Sequence, residues 1–135
     1  MTRRVIRTLR LLGIKSVAVY SKADAGLPYL EEADEAYPIG ESRAQSSYLN
    51  QEVLLEVIKQ SGADAVHPGY GFLSEDVTFA SRIQNMGVQF IGPSPQWLES
   101  MANKNTARKM MASYGMPIGS GSGIIGDDPN AIQAE

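Results

Sequence analysis

Apolar residues along the chain fall into short continuous runs separated by longer stretches with helical spacing, and the two patterns alternate. Ser16-Val17-Ala18-Val19-Tyr20 is a β-branched run that predicts a strand buried on both faces. Glu35-Ala36-Tyr37-Pro38-Ile39 predicts a weaker strand, at an edge or a strand end, because Pro38 removes a ladder donor. Ala63-Asp64-Ala65-Val66-His67 predicts a third strand. Val88-Gln89-Phe90-Ile91, closed by Gly92-Pro93, predicts a fourth. Between them, Asn50 caps a helix that runs to about Ser61, with Val53, Leu54, Val57 and Ile58 on one face and Gly62 at its stop. Phe79, Ile83 and Met86 mark a helix over about residues 76–86 that ends at Gly87. Ser94-Pro95 opens a short helix whose Trp97, Leu98 and Met101 are expected in the core. Asn103 caps the next, where Ala107, Met110, Met111 and Tyr114 form a stripe before Gly115.

Strands alternating with helices imply parallel pairing with right-handed crossovers, an α/β Rossmann-like parallel sheet. Such a fold ordinarily opens on a strand placed mid-sheet. Here the pattern opens on a helix, so the sheet reads as lacking its first strand. That first segment carries Arg3, Arg4, Arg7 and Arg10 ahead of any acidic residue, with Val5, Ile6, Leu9, Leu11 and Leu12 between them. It is expected to be the fold's first helix, closed by Leu12-Gly13, with Ile14 opening a strand. A mitochondrial presequence is the other reading of a basic amphipathic start. Residues 1–116 are expected to form one domain. Residues 117–135 are expected to begin with a glycine-serine linker and to continue into a polar tract.

Composition narrows the function classes. The 135 residues carry a net charge of −3, which offers no basic footprint for nucleic acid. Without cysteine there is no disulfide framework and no thiolate metal site, and no apolar run approaches the length of a spanning helix. His67 is the single histidine, so a multi-histidine metal site is excluded, and it is expected to be a hydrogen-bonded strand-end residue and not a base. The acidic run Glu31-Glu32-Ala33-Asp34-Glu35 is expected to be a solvated face.

The run His67-Pro68-Gly69-Tyr70-Gly71-Phe72-Leu73-Ser74-Glu75 follows a strand, and ligands of open α/β sheets bind at strand carboxyl ends. Gly69 and Gly71 permit a positive φ, Tyr70 offers an aromatic face, and Glu75 offers a carboxylate. On the residues alone, an ordinary strand-to-helix turn starting at Ser74 and Glu75 remains the other reading. A lysine in a first helical turn opposes the helix dipole, so Lys104 points mildly to a bound anion, with a solvated surface lysine as the alternative.

The nine-residue run resembles the signature of biotin carboxylases, the shared component of acetyl-CoA, propionyl-CoA, methylcrotonyl-CoA, pyruvate and urea carboxylases. Ala18-Val19-Tyr20-Ser21, Ala33-Asp34-Glu35-Ala36, Ile39-Gly40, Ser47-Tyr48-Leu49-Asn50, Gly62-Ala63-Asp64-Ala65 and Phe90-Ile91-Gly92-Pro93-Ser94 follow in family order. The resemblance implies a front, pre-ATP-grasp domain over residues 1–116, with residues 117–135 as a linker and the start of a truncated ATP-grasp region, of an enzyme that activates bicarbonate with MgATP and carboxylates biotin. By it, Tyr70 and Gly71 line the biotin pocket, Glu75 stands on the same wall, Lys104 reaches the nucleotide, and Arg4 and Arg7 lie at a homodimer contact. It implies ATP, magnesium and biotin in the intact enzyme, with an ATP-grasp domain and a biotin carrier protein as partners. The family's catalytic carboxylates fall beyond this chain, so no catalytic residue is assigned within it.

Three departures qualify the resemblance. Met1-Thr2-Arg3 stands where the family has a strand and a turn, Leu11 where an acid pairs across the dimer, and Ala102-Asn103 where a glycine and an aspartate precede the lysine. The expectation is a chain that is inactive and binds none of these ligands tightly by itself. It is expected to be marginally stable, or to pair with another chain. The location expected is cytoplasmic, with mitochondrial as the alternative. A non-catalytic module docking to a carboxylase subunit is the rival function. A standalone nucleotide binder is disfavoured, since no GxGxxG follows a strand.

Overall fold

The structure, a computed structural model, describes residues 1–119; the polar tract and most of the expected linker lie outside them. The chain divides into two compact units, Met1–Pro95 and Gln96–Glu135. In the first, α1 (Thr2–Leu11), β1 (Val17–Tyr20), α2 (Tyr29–Glu32), β2 (Glu35–Pro38), α3 (Gln51–Ser61), β3 (Ala65–Val66), α4 (Val77–Asn85) and β4 (Gln89–Phe90) follow one another. α5 (Pro95–Ala102) starts at the division, and α6 (Lys104–Ser113) lies in the second unit.

All four expected strands are present and every pairing is parallel, as the Rossmann-like reading requires. They form two separate pairs, β1 with β2 and β3 with β4. Val17 lies opposite Glu35 and Tyr20 opposite Pro38, while Ala65 lies opposite Gln89 and Val66 opposite Phe90. Ser16 and Tyr20 accept from the backbone N–H groups of Glu35 and Ile39 at 3.1 and 2.9 Å. A parallel strand turns alternate residues toward each neighbour, so Val17 and Val19 turn their backbone groups away from β2. Asp64 and Val66 likewise accept from Gln89 and Ile91, which turns Ala65 away from β4. Both outer edges of each pair are thus left uncovered by any described strand.

The helices are set by their caps. The Asn50 side chain accepts from the Val53 N–H at 3.4 Å, and Gly62 ends α3 at φ 65 in the left-handed conformation. Asp76 accepts from the Phe79 N–H at 2.7 Å and opens α4. The inward face of α3 is Leu55, Val57 and Ile58, with Val53 and Leu54 half-buried. The inward arc of α3 is thus wider than the expected stripe and admits Leu55. Phe79, Ala80 and Ile83 of α4 are buried, and Phe79 meets Phe90 of β4 edge to face at 6.5 Å.

α1 belongs to this unit. Ile6 is 5% exposed, the Arg3 guanidinium bonds the Glu32 carboxylate, and Arg10 donates to the Glu32 carbonyl at 2.6 Å. These contacts favour the first-helix reading of the basic segment. Strand β1 begins only at Val17, and Ile14 is left exposed, because the backbone from Ile14 still closes the helix by donating to Leu9. Gly40 follows β2 at φ 127, and a side chain there would overlap the Ser46 carbonyl oxygen.

In the second unit Trp97 is 50% exposed and Met101 is also exposed, so neither is the core residue expected. Leu98 takes the buried position, and a step of one residue turns a helix by about 100°, which carries Trp97 off that face. Among the described residues no helix is long and apolar enough to cross a membrane.

Candidate functional site

The run from His67 to Glu75 leaves the carboxyl end of β3 and is shaped by three consecutive devices. The Gly69 N–H donates to His67 Nδ1 at 3.0 Å, which ties the imidazole into the turn as a strand-end group. Gly69 and Gly71 adopt φ 77 and φ 73, with open space around both, so conformation and not crowding calls for glycine. The chain then coils into a single 3-10 turn, Phe72–Glu75, closed by the Ser74 N–H on the Gly71 carbonyl at 2.9 Å. Buried Leu73 anchors this turn from below. Tyr70 consequently stands out from the loop, 86% exposed.

Tyr70, Gly71 and Glu75 thus share one loop at one end of the first unit. Glu75 is exposed in the 3-10 turn and does not open the following helix. Asp76 does so, because its shorter carboxylate reaches the N–H three residues on while also accepting from Gln51 Nε2 at 3.2 Å. The alternative of a simple helix start at Ser74 and Glu75 is corrected accordingly.

A polar group beside this loop went unassigned in the sequence. The Tyr48 hydroxyl donates to Asp24 Oδ2 at 2.5 Å and accepts from the Ser21 N–H at 3.1 Å. Ser21 Oγ donates to the same Asp24 oxygen at 2.8 Å. Those donors, Tyr48 first, hold the Asp24 carboxyl below its ordinary range. The Tyr48 ring stacks on Phe72 with centroids 5.8 Å apart and planes 19° from parallel. No spacing rule links positions 24, 48 and 72, so nothing in the sequence signalled the group.

Lys104 belongs to the second unit, as the exposed first residue of α6. The Asn103 side chain already accepts from the N–H groups of Asn105 and Thr106 at 2.9 and 3.3 Å. An anion at this helix end would therefore be held mainly by the Lys104 ammonium. Among the described residues no cluster of three or more histidine, aspartate or glutamate side chains could hold a metal. The described residues by themselves do not fit a magnesium site.

Arg4 and Arg7 lie on exposed turns of α1, and Arg7 Nη2 stands 4.0 Å from Glu32 Oε1. The acidic run is only partly the solvated face expected. Arg3 draws the Glu32 carboxyl below its ordinary range, and the Ser16 backbone N–H and hydroxyl, at 2.7 and 2.8 Å, do the same for Asp34. The run meets the basic face of α1 and the start of β1, and both pairings are invisible to local sequence.

Residues 1–98 match the family model described as biotin carboxylase, N-terminal domain. The chain is 50% identical over 125 residues to biotin carboxylase 2 of Bacillus subtilis, covering 92% of this chain and 28% of that protein. It is 48% identical over 115 residues to the mitochondrial methylcrotonoyl-CoA carboxylase subunit alpha of Rattus norvegicus, covering 85% of this chain and 16% of that subunit. Its structure resembles the Campylobacter jejuni biotin carboxylase solved as a beta-gamma-ATP complex, with a TM-score of 0.92 and 36% identity over 98% of this chain and 30% of that one. The biotin carboxylase domain of Hydrogenobacter thermophilus 2-oxoglutarate carboxylase, solved with MgADP, ADP and bicarbonate, gives a TM-score of 0.89 at 36% identity, again over 98% of this chain and 29% of that one. The chain spans less than a third of the length of these relatives. With a matching family model over most of its length and the sheet and signature loop described above, this chain belongs to the biotin carboxylase N-terminal domain family.

Proposed function

We propose that the chain supplies one wall of the site at which a biotin carboxylase, using MgATP and bicarbonate, carboxylates biotin, and that by itself it is inactive. The observation that carries this reading is the exposed ring of Tyr70, raised on a loop with two left-handed glycines at a strand's carboxyl end. The planar ureido ring of biotin can lie against such an aromatic face with little side-chain ordering, and the glycines let it approach the backbone. Glu75 presents a carboxylate acceptor on the same loop. Lys104, exposed at the start of α6, provides a point charge for a phosphate oxygen. ATP, when bound, supplies the phosphoryl group that activates bicarbonate, and this chain's share is to bind and orient.

Magnesium ligands, the catalytic carboxylates and the bicarbonate site are assigned to an ATP-grasp region, and the biotin itself to a carrier protein that bears it. Arg4 and Arg7 are the residues proposed for a homodimer contact, with the cytoplasm as the location. Tyr70→Ala tests the reading in the intact carboxylase that carries this domain. The expected outcome is a KM for free biotin raised about tenfold at an unchanged KM for ATP. Unchanged biotin kinetics would take Tyr70 out of the site and the reading with it.

A further inference from the structure

Phe72 is the only residue other than glycine with a positive φ among the described residues, at φ 48, directly after Gly71 at φ 73. Two successive residues at positive φ redirect the chain and set the direction in which Tyr70 stands, two positions before Phe72. A side chain with a Cβ does not hold this conformation without help. Burial does not provide it, since Phe72 is 63% exposed. The contact that does is the stack on Tyr48 at 5.8 Å, and Tyr48 is itself fixed at its far end by two hydrogen bonds. One comes from the backbone of Ser21, 1% exposed and immediately after β1; the other goes to Asp24, which Ser21 also holds. A continuous path thus runs from the carboxyl end of β1, through Asp24 and the Tyr48 ring, to the strained residue of the loop that follows β3.

We infer that Tyr48 is a positioning residue for biotin, which locks Phe72 in its left-handed conformation and so presents Tyr70 and Gly71 in a binding-ready loop. The inference rests on the reading of that loop as a biotin wall. Rigid presentation lowers the ordering cost of binding, so loosening the loop weakens biotin recognition while leaving nucleotide recognition alone.

The test uses the intact carboxylase with free biotin as the probe and compares Tyr48→Leu, Tyr48→Phe, Phe72→Leu and Tyr70→Ala. Tyr48→Leu removes both ring and hydroxyl and is expected to raise the KM for biotin about tenfold, with the KM for ATP within about twofold of the parent. Tyr48→Phe keeps the stack and should recover most of that loss. Phe72→Leu breaks the same stack from the loop side, leaves the Asp24 cluster whole, and should reproduce the split even where Tyr48→Leu does not fold. Both KM values rising together, or a fall in kcat alone, would reduce Tyr48 to a structural residue and overturn the inference. If Tyr70→Ala raises the KM for biotin but Tyr48→Leu and Phe72→Leu do not, only the positioning inference fails. If Tyr70→Ala is silent as well, the loop has no part in biotin recognition and both fall.

Discussion

The Tyr29 hydroxyl donates to the Val19 carbonyl at 3.1 Å, on the side of β1 that turns away from β2. A side chain from α2 thereby occupies one of the backbone acceptors that a neighbouring strand would use. Burial above all raises the Tyr29 phenol well above its ordinary value, so the hydroxyl stays protonated and donating at any physiological pH.

The unpaired edge has a direct signature in hydrogen exchange. The amides of Ala18 and Tyr20 face β2 and should be protected, whereas those of Val17 and Val19 face the open edge and should exchange much faster. Equal protection of all four would mean that something covers that edge. A strand supplied from elsewhere in a longer protein should slow Val17 and Val19 selectively.

Gly40 is the glycine where substitution is least tolerable. At φ 127 a Cβ is strained, and it would also overlap the Ser46 carbonyl oxygen in the turn that follows. Gly40→Ala should cost about 3 kcal/mol or more, or prevent folding, because backbone and not a flexible side chain must yield. Gly71→Ala meets open space and should cost only its backbone penalty at φ 73 and ψ −162, about 1–3 kcal/mol. Thermal melts of the two variants rank them, and a milder Gly40→Ala would contradict the geometry.

Acid should destabilise the fold through three carboxylates. Asp24, Glu32 and Asp34 all titrate below their ordinary values of 3.8, 4.5 and 3.8 in the folded chain. A depressed folded value means stability that is fully present above those values and is lost as the pH falls through the lower folded ones. The melting temperature should therefore hold from neutral pH to about pH 5 and fall below about pH 4. Asp24→Asn should lower the neutral-pH melting temperature and flatten the acid limb, and an unchanged acid limb would show that its bonds to Tyr48 and Ser21 contribute nothing.

If Lys104 holds a nucleotide phosphate as proposed, Lys104→Ala in the intact carboxylase should raise the KM for ATP by about tenfold with a smaller effect on bicarbonate. Lys104→Arg should retain most of the affinity. A larger effect on bicarbonate than on ATP would contradict the assignment.

Much of the fold was legible because its signals are local. The β-branched run at residues 16–20, the Asn50 and Asn103 caps and the Gly62 stop each act over a single turn or strand, and all reappear in the structure. Strand lengths were less legible: the third and fourth strands shrink to Ala65–Val66 and Gln89–Phe90, because a strand extends only as far as a partner hydrogen-bonds it. Trp97 illustrates a different loss. Its size and helical spacing suggest a core, but its angular position on α5 leaves it half exposed.

By itself the sequence determined the alternation of strand and helix and the parallel sheet class, since hydrophobic period, caps and glycines are properties of contiguous residues. Only the tertiary structure decided that the strands stand as two separate pairs, that Glu32 meets Arg3, and that Asp24, Tyr48 and Phe72 meet beside the loop. Those relationships join positions 18 or more residues apart, and they come from where the elements pack and from no pattern along the chain.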